Sequence, residues 1–187
     1  HHFTNPQWFS SLGGWIRADS VDFFTRYVDR VVQSLGDQIR WWVTINEPTV
    51  LVNQGYLDGI WPPGKRSFGE AFSALRNLCR SHQAAYRLIH IRLDGGSGEK
   101  PLVGMAHHLR CYDPCRPDSP GDRLSCWVRQ WAGNRWILET SLKTSDFVGV
   151  NFYTRDFIRW GGPSAFWGEV CRAEHHEGMG PRSSLGW

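Results

Sequence analysis

Glu47 stands in the setting that most invites chemistry. It follows the apolar run Trp41-Trp42-Val43-Thr44-Ile45 and Asn46, and it precedes Pro48. A short run rich in aromatic and β-branched residues predicts a buried strand. Proline ends such a ladder because it has no N–H to donate. A carboxyl is therefore expected at a strand end, beside an amide. In parallel α/β folds the C-terminal strand ends are where active sites form. An acid and an amide there suit the binding and protonation of a polyhydroxylated substrate. Two other predicted strand ends carry similar groups, His2 on one and Asn151 with Tyr153 on another. If these strands are neighbours in a parallel barrel, all five side chains converge on one mouth. The set suits glycoside chemistry better than phosphoryl transfer, for which the sequence has no glycine-rich phosphate loop.

The elements that must position these groups follow from the apolar periodicity. His1 to Thr4 reads as a short strand broken by Asn5-Pro6. Ser20 to Leu35 reads as a helix, with Val21, Phe24, Val28, Val31, Val32 and Leu35 on one face and Gly36 as a stop. Arg40 to Asn46 is the next strand, and residues 48–67 read as a long Gly/Pro-rich loop. A helix from about Gly69 to Leu93 carries Ala71, Leu75, Leu78, His82, Ala85 and Ile89 at helical spacing, which makes His82 a core histidine. Pro101 to His107 is a strand, Arg123 to Leu138 a helix, and Phe147 to Tyr153 a strand. Beyond Trp160 the sequence reads mostly as loop. The strands are apolar throughout, as expected when both faces are covered. Alternating strands and helices predict consecutive βα units of a parallel sheet or barrel.

Composition narrows the function classes. The chain has 187 residues, enough for one domain with a real core. A formal net charge of +3, with no basic block beyond Lys65-Arg66, argues against nucleic acid as a partner. No stretch is long and apolar enough for a membrane span. Five cysteines, an odd number outside a small disulfide-rich layout, point to a reducing compartment. A cytoplasmic location is expected, with secretion left open because no natural start is visible. Eleven tryptophans fill cores or stack on flat ligand faces such as sugar rings.

Four segments together resemble glycoside hydrolase family 1, the retaining β-glycosidases. Trp42-Val43-Thr44-Ile45-Asn46-Glu47-Pro48 is similar to that family's acid/base motif. Gly55-Tyr56-Leu57-Asp58-Gly59 with Pro62-Pro63-Gly64 resembles the loop that follows it. His2-Phe3-Thr4-Asn5-Pro6 and Gly13-Gly14-Trp15 resemble the preceding strand and loop, and Phe147 to Thr154 resembles a later strand. They occur in family order over residues 1–155. The resemblance implies an α/β fold, a partial (β/α)8 TIM barrel holding approximately strands 3 to 6. It also implies a single incomplete domain over residues 1–187, with 156–187 mostly loop. By the same resemblance Glu47 is the general acid/base, Asn46 and His2 bind sugar hydroxyls, Asn151 lines the pocket, and Tyr153 orients a nucleophile carboxylate. Phe3 and Phe152 depart from the family's usual Trp and Tyr but keep an aromatic ring.

The nucleophile itself is not found. The family supplies it from a Thr-Glu-Asn-Gly-like motif, which this sequence lacks. Glu169, Glu174 and Glu177 do not end apolar strands, and Ser184-Leu185-Gly186-Trp187 resembles the stretch leading toward the nucleophile strand. The expected activity is thus hydrolysis of terminal β-D-glycosides by a full-length parent, with these 187 residues inactive alone. The expected partner is a β-glycoside or oligosaccharide, and cut barrel edges predict self-association. The alternative is a non-catalytic carbohydrate-binding or assembly module. No cofactor is implied. His107, His108, Cys111 and Cys115 are of zinc-binding types, but their spacing is irregular and adjacent strand residues face opposite ways, so no metal site is expected. His175-His176-Glu177 lacks the second histidine of a metalloprotease helix.

Overall fold

In the computed structural model, residues 1–94, 99–163 and 167–171 are described. Glu174, His175, His176, Glu177 and residues 184–187 lie outside them. The described chain opens with helix α1 (Gln7–Ser11) and a tight turn at Gly14–Ile16, then α2 (Ser20–Leu35), strand β1 (Trp41–Asn46) and helix α3 (Pro48–Val52). The long helix α4 (Phe68–Leu93) leads to β2 (Leu102–Pro114). Helices α5 (Pro120–Arg129) and α6 (Trp136–Leu142) are joined by a wide turn, and β3 (Phe147–Arg159) and the short β4 (Glu169–Val170) follow. From α2 onward the order follows the predicted alternation.

Contacts divide the chain into two compact units, one of residues 1–107 with 139–151 and one of residues 108–138 with 152–187. In the first, α2 buries Phe24, Val28 and Val32, four residues apart, against α4. Helix α4 starts where the Ser67 side chain accepts the Glu70 N–H, and it buries Ala71, Ala74, Leu78, Ala85 and Ile89. Its Asn77 is fully buried and donates to the carbonyls of Trp15 and Arg17 at 2.8 and 2.9 Å, tying the loop before α2 to the helix. β1 pairs with β2 in parallel, Trp41 opposite Leu102 and Asn46 opposite Ala106, with a register shift between Val43 and Asn46. Gly104 lies in this sheet where a Cβ would collide with the carbonyl oxygen of Phe147, so only glycine fits.

The second unit is organised around a buried carboxylate. Asp122 is fully buried and accepts the Arg116 guanidinium, the Ser119 hydroxyl and the N–H groups of Arg116 and Trp160. The Arg116 hydrogen bond, aided by the other donors, holds this carboxyl well below the usual carboxylate range. β3 pairs antiparallel with β4, Ile158 opposite Val170.

Five expectations change. His1 to Thr4 form no strand; the His1 amine donates to Thr44 O at 2.6 Å and Asn46 N–H to His1 O at 2.9 Å, after which Phe3, at φ 62°, turns the chain away from β1. The segment after Glu47 is not wholly loop: it begins as α3, because Pro48 sits at a first-turn position that has no helical use for an N–H. β1 is covered on one face only over its first four residues, with Trp41 and Val43 58% and 49% exposed while Trp42 and Thr44 are buried; Ile45 is fully buried. Cys115 and Cys171 form a disulfide, leaving Cys79, Cys111 and Cys126 as thiols, so the odd count does not mean five free cysteines. β2 and β3 also run on to Pro114 and Arg159, past their predicted ends.

Candidate active site

Glu47 follows the last residue of β1 and is buried, 6% exposed. Its backbone is left-handed, at φ 48°. For a residue with a Cβ that conformation costs about 1–2 kcal/mol and persists only where neighbours over-determine it. Here the Glu47 N–H donates to Ala106 O at 2.8 Å, and its carbonyl accepts Val50 and Leu51 N–H at 3.0 and 3.3 Å. The residue is thus clamped between β2 and the first turn of α3. The irregular register just before it re-aims the chain at that point.

Asn151, on β3, fixes the carboxyl. Its Nδ2 donates to Glu47 Oε1 at 2.7 Å and to Asn46 Oδ1 at 3.1 Å. A side-chain amide has two N–H donors, and both are spent on these neighbours. Asn46 is thereby oriented with its oxygen toward Asn151. Its own Nδ2 is buried and has no partner among the described residues. Buried donors normally have partners, so this amide is set to meet a group from outside the chain.

Beneath this trio lies a polar layer. Thr44 Oγ1 and His82 Nδ1 are hydrogen-bonded at 2.7 Å, and His82 Nε2 meets Ser145 Oγ at 3.2 Å. Ser145 donates to Ser141 O, and the Ser141 hydroxyl pairs with His107 Nε2 at 3.0 Å. Burial pushes both histidines down to about 4, and for His107 the nearby His82 adds to the effect. His82 is the core histidine that its helical spacing predicts. His107, weighed in the sequence only as a metal ligand, is instead a second member of this layer.

The other sequence-derived residues lie elsewhere. His2 is exposed, its ring edge-on to Phe3 at 4.4 Å, and it lines a cleft of about 360 Å³ with Trp8, Phe9, Trp15 and Tyr27. Among the described residues it shares no hydrogen bond with Glu47. Tyr153 belongs to the second unit, where its ring lies 5.3 Å from that of His108. Among the described residues no group of three His, Cys, Asp or Glu side chains is arranged to hold a metal ion. The residue pairing that sequence reasoning missed is Asn151 with Asn46. Its only signal was that both amides end predicted strands.

Comparison with known proteins places this geometry. The model of glycosyl hydrolase family 1 matches residues 1–147. A β-glucosidase A from Thermotoga maritima is 32% identical over an alignment that covers all of this chain and 46% of that protein. A chloroplastic galactolipid galactosyltransferase from Arabidopsis thaliana is 29% identical, covering 84% of this chain and 26% of its own length. The solved β-glycosidase from Pyrococcus horikoshii superposes with a TM-score of 0.82 at 30% identity, covering all of this chain and 45% of that one. The chain thus spans less than half the length of each, and its fold is part of a (β/α)8 barrel.

Proposed function

Because the chain belongs to glycosyl hydrolase family 1, we propose that it carries the acid/base half of a retaining β-glycosidase site, acting on terminal β-D-glycosides such as β-glucosides. The observation that carries this reading is the Asn151 bridge, which holds Glu47 Oε1 and Asn46 Oδ1 and leaves the buried Asn46 Nδ2 without a partner among the described residues. With Oε1 tethered, Oε2 is the oxygen that delivers the proton to the leaving group. The same oxygen then takes a proton from water to release the covalent glycosyl-enzyme. Asn46 Nδ2 donates to a sugar hydroxyl next to the reacting carbon. His2 contributes to the glycone after its segment turns inward, and Tyr153 orients the nucleophile carboxylate.

That carboxylate must stand about 5–5.5 Å from the acid/base for double displacement. No second carboxylate among the described residues shares the Asn151 bridge. Hydrolysis therefore belongs to the assembled site, and the 187 residues by themselves bind a β-glycoside without turning it over. The exposed Trp41 and Val43 of β1 make them self-associate.

Calorimetry with cellobiose and methyl β-galactoside tests this reading. Binding that weakens about tenfold in Asn46→Ala, the loss of one good hydrogen bond, supports it. No binding, or binding indifferent to Asn46 and Glu47, overturns it. Binding that survives Glu47→Gln unchanged while Asn46→Ala abolishes it favours a carbohydrate-binding module instead.

A further inference from the structure

The second unit contains a covalent link that the sugar chemistry does not use. Cys115 follows directly after β2, and Cys171 directly after β4. Their Cα atoms are 6.4 Å apart, inside the range a disulfide spans. Both cysteines are anchored to adjacent residues of β3: Cys115 N–H donates to Ile158 O at 2.9 Å and Cys171 N–H to Phe157 O at 2.8 Å. The bond therefore ties both neighbouring segments of β3 together at one level. Without it, the segment 167–171 is held among the described residues by the short β4 pairing, by the Cys171 N–H bond and by Arg129, whose guanidinium also lies 5.2 Å from the Trp167 ring. β4 has two residues, with Val170 and Glu169 opposite Ile158 and Arg159. Two further bonds come from Arg129, which donates to Trp167 O at 2.7 Å and Gly168 O at 2.8 Å. So short a strand frays readily.

We propose that Cys115–Cys171 is a redox-controlled clasp: oxidised, it locks the 167–171 segment onto β3; reduced, it lets that segment open. Two features make the pair a switch with one closed register. Both cysteines are 8–9% exposed, so attack on the closed bond requires the segment to lift first. The backbone of Ile158, which anchors Cys115, also acts on the Cys126 thiol. Burial pushes this thiol up to about 11, which keeps it protonated and a poor nucleophile toward the disulfide.

The closing step is ordinary thiol–disulfide exchange with a low-molecular-weight disulfide such as oxidised glutathione. The Cys115 thiolate attacks one glutathione sulfur and expels a glutathione thiolate. The Cys171 thiolate then attacks Cys115 Sγ in the mixed disulfide and expels the second. The protein loses two electrons, the glutathione disulfide gains them, and the two cysteine protons end on the two glutathione thiols.

The test compares the full chain equilibrated in oxidised glutathione with the same chain in dithiothreitol. Maleimide labelling in denaturant, after acid quenching of exchange, should count three thiols in the first state, Cys79, Cys111 and Cys126, and five in the second. Peptide mapping without reductant should recover a single cross-link, Cys115 to Cys171. Amide exchange over residues 167–171 should be at least about tenfold slower when oxidised, while α4 exchanges equally in both states. Cys126→Ser should keep the cross-link, which shows that the link does not run through that thiol. Five labelled thiols after oxidation, a link through Cys111 or Cys126, or equal exchange in the two redox states overturns the clasp.

Discussion

The Asn151 amide nitrogen lies 2.7 Å from Glu47 Oε1, joining residues 104 positions apart. The contact spends a β3 side chain on holding a β1 carboxyl, and it leaves one carboxylate oxygen for proton transfer. Asn151→Ala removes this bond and the one to Asn46 together, leaving buried acceptors without a donor. We expect a loss of about 1–3 kcal/mol in stability and weaker β-glycoside binding, read from urea midpoints and calorimetry. Asn151→Asp is expected to do worse at neutral pH, since it sets a second carboxylate against Glu47. Unchanged binding in both variants would remove Asn151 from the site.

Catalysis is expected to be absent from the 187 residues alone. An aryl β-glucoside assay on the purified chain should show no release above buffer. Turnover that disappears in Glu47→Gln would show that the nucleophile is supplied within the chain, and would sink this expectation.

The buried histidine layer predicts a pH dependence of stability. His82 and His107 are pushed down to about 4 from an ordinary 6.5, so the unfolded chain binds protons that the folded chain refuses. Stability from this source is full above about pH 6.5 and falls as the pH drops toward about 4, by on the order of 3 kcal/mol per histidine. Urea midpoints at pH 7, 5.5 and 4 measure the slope. It should flatten when His107→Asn removes one of the two groups. A midpoint that does not move between pH 7 and 4 contradicts the prediction.

Gly104 is expected to tolerate no side chain. Its Cβ position is occupied by backbone, the Phe147 carbonyl, which cannot swing aside as a side-chain tip can. Gly104→Ala should cost about 1–3 kcal/mol or prevent folding. Gly64, with nothing near its Cβ position but a φ of 70°, should cost less, about 1 kcal/mol. Thermal melts of the two variants rank them, and the reverse order would contradict the packing argument.

Self-association is expected through the open face of the first unit. Trp41, Val43 and Val150 are 58%, 49% and 58% exposed, and Trp41 packs edge-on to Phe147 at 5.0 Å. Large apolar side chains left exposed favour association. Sedimentation should show oligomers that Val43→Lys disperses. A monomer at high concentration would argue against it.

Much of this was legible in the residues themselves. α2 begins and ends where its apolar stripe and Gly36 predict, because a 3.6-residue period has only one way to bury its face. β1 ends before Glu47 because Pro48 cannot extend a ladder. The motif order also pointed to the family, since spacing along a chain survives when most side chains change. The sequence did not show that Pro48 starts a helix rather than a loop. A proline after a strand end is compatible with both, and the choice was made by the carbonyl of Glu47 receiving Val50 and Leu51.

What the sequence determined alone is the inventory and its local placement: an acid at a strand end, amides at two others, and alternating strand and helix periods. These follow from nearest-neighbour sterics and burial period, which act over a few residues. Only the tertiary structure decided which groups meet. It joined Asn151 to Glu47 and Asn46, made one layer of His82, Ser145, Ser141 and His107, and paired Cys115 with Cys171. It left His2 outside that trio. Contacts between residues tens of positions apart depend on strand register and loop closure, and neither is written in the spacing of any one segment.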